Sequence, residues 1–287
     1  VELVEARYEE GLGKWVPERD LMTMSQALPW LRAKYGQNRD YAVAGVEEML
    51  GERRSEAKGM EANWLGTTVF VNRGNRLEAV ELPEEAQESP VSGVSGADVD
   101  GDGAMDLVLG QNFFAEPTVT SRSDAGRGLV LKGDGMGGFR AMSGQESGVE
   151  VYGEQRGVAV GDYDEDGRVD VVMTQNGAGT KLYRNVGGKA GIRVKLKGRE
   201  GNEGGLGAVV RWVLGGKAVG PAQEVHGGSG WWSQDSGVLV FARPEGAGNG
   251  SEQLEVELEV RWPGGRVSRG KVAPGQSSMT VDYPRPE

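Results

Sequence analysis

Two acidic stretches carry the same nine-residue pattern, D-x-D-x-D-G-x-x-D: residues 98–106 read DVDGDGAMD and residues 162–170 read DYDEDGRVD. In a tightly turned loop, carboxylates at positions 1, 3 and 5 converge on one point, and the glycine at position 6 permits the bend. Position 7 then offers a backbone carbonyl, and the aspartate at position 9 closes the ring. The expected ligands are Asp98, Asp100, Asp102, Ala104 and Asp106 in one loop, and Asp162, Asp164, Asp166, Arg168 and Asp170 in the other. Such all-oxygen sets suit Ca²⁺ at about 2.3–2.6 Å, so two calcium sites are expected. Without a cation each carboxylate pair about 4 Å apart costs roughly 1 kcal/mol in water, and several times more where water is partly excluded. The competing reading is a metal-free, Asp-rich turn.

These loops are not EF-hands, which need a Glu at position 12 and a helix on each side. Position 12 is Leu109 in one loop and Met173 in the other. The flanks are short apolar runs, Gly93-Val94-Ser95 and Leu107-Val108-Leu109 around the first, Val158-Ala159-Val160 and Val171-Val172-Met173 around the second. Runs of that length read as buried strands, so each loop is expected to join two strands of a sheet.

Shifting residues 93–112 by 64 positions superposes them on 157–176 with about half the residues identical, down to Gln111-Asn112 and Gln175-Asn176. Self-similarity at a fixed period marks a repeat architecture. Between the loops, Gly128 to Arg140 reads as a strand, a Gly/Asp turn and a returning strand led by Phe139. A degenerate version spans Val69 to Leu77, and another begins at Lys181-Leu182-Tyr183. Each unit is therefore a loop between two inner strands plus an outer hairpin, the content of one propeller blade. Residues 62–188 resemble FG-GAP (VCBS-type) β-propeller repeats, in which calcium loops of this form are typical. The resemblance implies about two and a half blades and a remainder of the propeller on a longer chain, since a closed propeller needs at least four.

Residues 1–61 differ in pattern and are expected to form a helical insertion. Leu21, Met24, Leu28, Leu31 and Tyr35 recur at helical spacing, interrupted by Pro29 and stopped by Gly36. Asn38-Arg39-Asp40 can start a second helix carrying Tyr41, Val43, Val46, Met49 and Leu50, ended by Gly51. Residues 189–287 contain seven candidate strands: Ile192–Leu196, Gly207–Leu214, Val219–Val225, Val238–Ala242, Leu254–Trp262, Val267–Val272 and Met279–Tyr283. Their number and shortness suit a β-sandwich. Four patches here, Gly205 to Val210, Val225 to Gln234, Val238 to Ala242 and Val260 to Gly265, resemble the ASPIC/UnbV domain that follows FG-GAP blades in the cartilage acidic protein family. The fold class expected is mainly β: partial propeller blades, an N-terminal helical insertion and a C-terminal sandwich-like domain.

A formal charge of −11 argues against a nucleic-acid or anionic-membrane binder, both of which need a basic surface. No apolar run reaches the roughly 18 residues of a transmembrane helix. The 49 glycines, without a Gly-X-Y period, reflect turn density. Zero cysteines exclude disulfides, thiolate metal sites and Cys nucleophiles. Calcium loops can replace disulfides as staples, and weak extracellular-type sites load only where Ca²⁺ is near millimolar. An extracytoplasmic location is therefore expected.

The case for catalysis is thin. His226 is the only histidine, and no Gly-x-Ser-x-Gly elbow accompanies Ser229, Ser233 and Asp235, so a hydrogen bond ordering its loop is expected of it. Residues 133–138, GDGMGG, are followed by strand-like residues instead of the helix a phosphate-binding loop needs. Lys132-Gly133-Asp134 matches an integrin-ligand tripeptide but belongs to the hairpin, and Asn249-Gly250-Ser251 is a glycosylation sequon. Trp231-Trp232, on a Gly/Ser loop, are candidates for stacking on a sugar face or anchoring a protein; alternation predicts that at least one fills the core. The expected function is a non-enzymatic, calcium-stabilised extracytoplasmic binding or adhesion module for a protein or glycan. The alternative is an enzyme, or enzyme accessory, acting on polysaccharide or a secondary metabolite. A pocket uniting Trp231, Trp232, His226 and carboxylates would favour the alternative.

Overall fold

The computed structural model describes residues 3–116, 122–244 and 256–284. The sequon at Asn249, and Leu254 of the predicted strand, lie outside the described residues. The chain is mainly β and divides into two compact units, Val1–Leu65 and Gly66–Glu287. No helix among the described residues is long and apolar enough to cross a membrane.

The first unit opens with a hairpin that the helical periodicity gave no sign of, β1 (Ala6–Glu9) against β2 (Lys14–Pro17). Four short helices follow: α1 (Leu21–Ala27), α2 (Trp30–Lys34), α3 (Asn38–Ala42) and α4 (Val46–Leu50), then a 3₁₀ turn at Gly51–Glu56. Asp20 caps α1, its Oδ1 accepting the Thr23 N–H at 2.9 Å. Pro29 divides the first predicted helix into α1 and α2. The second is split at Gly45, whose extended backbone starts α4 afresh. Leu21, Met24, Leu31, Tyr41 and Met49 form the core of this unit, as their spacing predicts, whereas Val43 is exposed.

The second unit begins with a hairpin, β3 (Thr68–Asn72) and β4 (Leu77–Glu81). A four-stranded antiparallel meander follows in the order β5 (Val91–Ala97), β6 (Asp106–Gln111), β7 (Leu129–Gly133), β8 (Phe139–Met142). After the single turn α5 (Gly144–Ser147), the motif recurs as β9 (Glu154–Gly161), β10 (Asp170–Asn176) and β11 (Ala178–Tyr183). The two acidic loops connect β5 to β6 and β9 to β10, between strands as expected. The repeat is unequal: the second sheet has three strands among the described residues, and no closed propeller is present. The two sheets share a core of Val108, Val130, Val158, Val171 and Met173.

Where the repeats meet, Asn112 at the end of β6 is fully buried with φ 84°. Its amide donates to the carbonyls of Gly126 (2.7 Å) and Gly153 (3.0 Å) and accepts from Gly126 N–H (2.8 Å) and the Ser89 hydroxyl (3.0 Å). A buried amide with its full complement of partners fixes one arrangement of the surrounding loops. Asn176, its repeat equivalent, is exposed and donates only to Glu154.

All seven C-terminal candidates contain strands: β12 (Ile192–Lys197), β13 (Val209–Leu214), β14 (Lys217–Glu224), β15 (Val238–Phe241), β16 (Val256–Arg261), β17 (Val267–Lys271) and β18 (Ser278–Asp282). They form a three-stranded sheet, β15-β12-β18, and a four-stranded sheet, β14-β13-β16-β17. One core lies between them, with Ile192, Val194, Phe241 and Val281 from the first sheet and Val210, Trp212, Leu258 and Val260 from the second. Strict alternation makes this possible: in β16, Val256, Leu258 and Val260 are buried while Glu257 and Glu259 are not.

Candidate metal centres and the loop around Trp231

Both acidic loops are closed by the same internal hydrogen bonds. Asp98 Oδ1 accepts the Asp102 N–H at 3.0 Å and its Oδ2 the Gly103 N–H at 2.8 Å. Asp162 repeats this with the N–H groups of Asp166 (3.0 Å) and Gly167 (2.8 Å). Gly103 and Gly167, at position 6, have φ of 92° and 83°, the left-handed conformation for which the pattern requires glycine. Ala104 and Arg168 enter the loops through their N–H groups, which donate to Asp102 and Asp166.

The result is two triads, Asp98/Asp100/Asp102 and Asp162/Asp164/Asp166, each able to bring one oxygen per residue within 4.8 Å of the others and so to hold a metal ion. Asp106 and Asp170 lie outside these triads. Each spends both oxygens on backbone amides: Asp106 on Val99 (2.8 Å) and Gly133 (2.9 Å), Asp170 on Tyr163 (3.0 Å) and Asn185 (2.7 Å). The aspartate at position 9 thus ties its loop to the last residue of β7 in the first repeat and to Asn185, two residues past the end of β11, in the second. Burial raises the carboxyls of Asp106 and Asp170 above their ordinary value, and pushes Asp98 up to about 6 against three backbone N–H bonds. Asp102 is held below its ordinary value: burial raises it, but the Ala104 N–H and Lys132 outweigh that.

The donor set fits a hard divalent cation. Six carboxylates in two triads supply oxygen only, and Asp164 Oδ1 is buried with no hydrogen-bond partner, an acceptor left for a ligand. Basic side chains flank both triads. Lys132 on β7 bonds Asp100 and Asp102, and Arg184, just after β11, bonds Asp164. These two positions are equivalent, because Leu107 pairs with Leu131 and its repeat counterpart Val171 pairs with Tyr183. The spacing between the second and third strands differs in the two repeats, which hides this equivalence from a constant sequence shift. The second loop has further cations: Arg168 on Asp166 (2.9 Å), and Arg193 of β12 with Nε 2.9 Å from Asp162 Oδ2 and a second nitrogen 3.2 Å from Glu165. Lys132 is thereby occupied as an ion-pair partner, and Asp134 accepts the turn amides of Met136 and Gly138. The tripeptide Lys132-Gly133-Asp134 is part of a structural hairpin.

The prediction that Trp231 or Trp232 fills the core is wrong. The tryptophans lie in a turn, where strand alternation does not operate, and are 57% and 89% exposed. Trp232 takes φ 50°, unusual for a bulky side chain. Their backbone is nevertheless pinned. A Cβ at Gly157 of β9 would lie 3.2 Å and 3.3 Å from the carbonyl oxygens of Trp231 and Trp232, so glycine is what permits this approach. Asp235 Oδ1 accepts the Ser95 hydroxyl (3.1 Å) and the Val160 N–H (2.8 Å), anchoring the loop to β5 and β9. Its carboxyl is raised by burial, partly offset by these bonds. In sequence, Asp235 reads as an ordinary turn residue of a Gly/Ser loop, with no signal of this anchoring role.

The same loop closes one side of a cavity of about 430 Å³ lined by Glu224, His226, Ser229 and Asp235. Trp231 and Trp232 do not line it. His226 is half exposed, its Nδ1 3.7 Å from Glu224 Oε1.

Residues 198–287 match the ASPIC and UnbV family, which covers the C-terminal sheets from just after β12. No curated protein matches the chain.

Proposed function

We propose that this chain is a calcium-stabilised, non-enzymatic binding module that works outside the cytoplasm, with residues 62–188 built as FG-GAP-type propeller blades. The observation that carries this reading is the duplicated loop: two Asp triads closed by the same hydrogen bonds and joined to equivalent positions at or just past the end of the third strand. Calcium is the cation of choice because the donors are carboxylates, and the groups able to hold an ion include no imidazole or thiolate. Asp98, Asp100 and Asp102 would hold one ion and Asp162, Asp164 and Asp166 the other, with the carbonyls of Ala104 and Arg168 added to each shell, while Asp106 and Asp170, their oxygens taken by backbone amides, anchor the loops. Bound calcium would cancel the mutual repulsion of the triad and hold the strands on either side. Sites of the weak class fill where calcium is near millimolar, which favours an extracytoplasmic location.

The exposed pair Trp231 and Trp232, on a backbone clamped by Gly157 and Asp235, supplies the contact surface for a protein or glycan partner. The metal reading is tested by stoichiometry: equilibrium dialysis with elemental analysis should find two Ca²⁺ per chain, and Asp98→Ala and Asp162→Ala should each remove one. Full stoichiometry in either variant refutes the assignment. For the partner, binding to a glycan array should be lost in Trp231→Ala; glycan binding that persists in that variant places the contact elsewhere. The alternative of an enzyme or enzyme accessory called for one pocket uniting Trp231, Trp232, His226 and carboxylates; the cavity holds His226, Glu224 and Asp235 without either tryptophan, which meets only part of that arrangement.

A further inference from the structure

The cavity of about 430 Å³ lies between the inner strands of the two repeats and the C-terminal sheets, all within the second unit. It falls in the size range of small-molecule sites, about 300–1,000 Å³. Its apolar wall is made by Val94 of β5, Val160 of β9, and Leu239 and Val240 of β15. The polar residues of the lining include Glu224 at the end of β14, and His226, Ser229 and Asp235 on the loop.

Charge decides what such a space can accept. Two carboxylates line it, and no lysine or arginine does. An anion entering would meet Glu224 and Asp235 with no fixed positive charge to offset them. A wholly apolar molecule would bury polar groups without replacing their hydrogen bonds to water. Ser229 Oγ is buried there beside the Asp235 carboxylate, whose charged form its hydroxyl favours, so the two make one polar corner of the cavity. Burial keeps the Asp235 carboxyl above its ordinary value, a penalty that a neighbouring ammonium group relieves.

From this juxtaposition we propose that the cavity binds a small organic cation: a protonated amine, directed at Glu224, Asp235 and Ser229 Oγ, carried on an apolar body that lies against Val94, Val160, Leu239 and Val240. The acidic loops give Met105 and Val169 to its lining but none of their carboxylates, and neither tryptophan lines it.

The experiment is isothermal titration calorimetry on the whole chain, with calcium saturating, using three probes of one shape: 2-phenylethylamine, 2-phenylethanol and 3-phenylpropionate. The amine should bind saturably and at least about tenfold more tightly than the alcohol, and the carboxylate should give no binding heat. Glu224→Gln should weaken the amine and leave the alcohol unchanged. Ala222→Trp, on the exposed β14 wall of the cavity, should abolish both and leave the melting temperature unaltered. Equal affinity for all three probes, no saturable binding, or amine binding that survives both Glu224→Gln and Ala222→Trp would overturn the proposal.

Discussion

Chelating calcium at pH 7.5 should lower the melting temperature of the second unit by roughly 2–12 °C, and this gap should close as the pH falls. In each triad the oxygens stand within 4.8 Å of one another, a separation at which two unit charges repel by roughly 3 kcal/mol at an effective dielectric of about 20. Lys132 and Arg184 relieve part of this, so repulsion alone overstates the effect. Mass action gives the firmer figure: at about 1 mM Ca²⁺ a site with a Kd of about 10⁻⁴–10⁻³ M contributes roughly 0.4–1.4 kcal/mol, and two such sites roughly 1–3 kcal/mol. For about 150–250 residues, each kcal/mol corresponds to about 2–4 °C. The pH dependence follows from Asp98, whose carboxyl burial pushes up to about 6 in the metal-free fold. A raised carboxyl stabilises the metal-free protein fully below its unfolded value of about 4, and that contribution is lost as the pH rises through about 6. Calcium requires the ionised form, so below pH 6 proton and metal compete and the advantage of calcium shrinks. Differential scanning calorimetry in about 1 mM CaCl₂ against EGTA, at pH 7.5, 6 and 5, is the measurement. A melting temperature indifferent to EGTA at pH 7.5, or a gap that widens on acidification, would refute the reasoning.

Two further substitutions test how the acidic loops and the repeat boundary are held. Arg193→Leu removes the partner of Asp162, whose side chain is fully buried, and should destabilise the metal-free protein by about 2–4 kcal/mol in urea titration; calcium should restore much of the loss, because the ion supplies the missing positive charge. Asn112→Ala leaves two carbonyls, an N–H and a hydroxyl short of partners and removes a residue type suited to φ 84°, so a loss of about 3 kcal/mol or more is expected. Asn176→Ala, the matching change in the second repeat, should cost less than about 1 kcal/mol, because that side chain is exposed and makes one bond.

What was legible in the sequence was local. The D-x-D-x-D-G-x-x-D spacing determines a loop whose first aspartate gathers the following amides, because those bonds run over three to five residues and need nothing from elsewhere in the chain. Alternation in the C-terminal segment determines its strands, and Pro29 determines a helix break. The tertiary structure alone decided which groups from distant segments meet those loops. The aspartate at position 9 anchors to Gly133 and Asn185, Lys132 and Arg184 become equivalent across unequal spacings, and Arg193 reaches back to Asp162. Trp231 and Trp232 are exposed because Gly157 and Asp235 hold their turn against β9, a contact between residues about 75 positions apart that no periodicity encodes. The cavity, likewise, exists only where β5, β9, β14 and β15 converge. Short-range hydrogen bonds and side-chain alternation are written into neighbouring residues, whereas a charge partner or a void is a property of which surfaces happen to pack, and that is settled only when the whole unit folds.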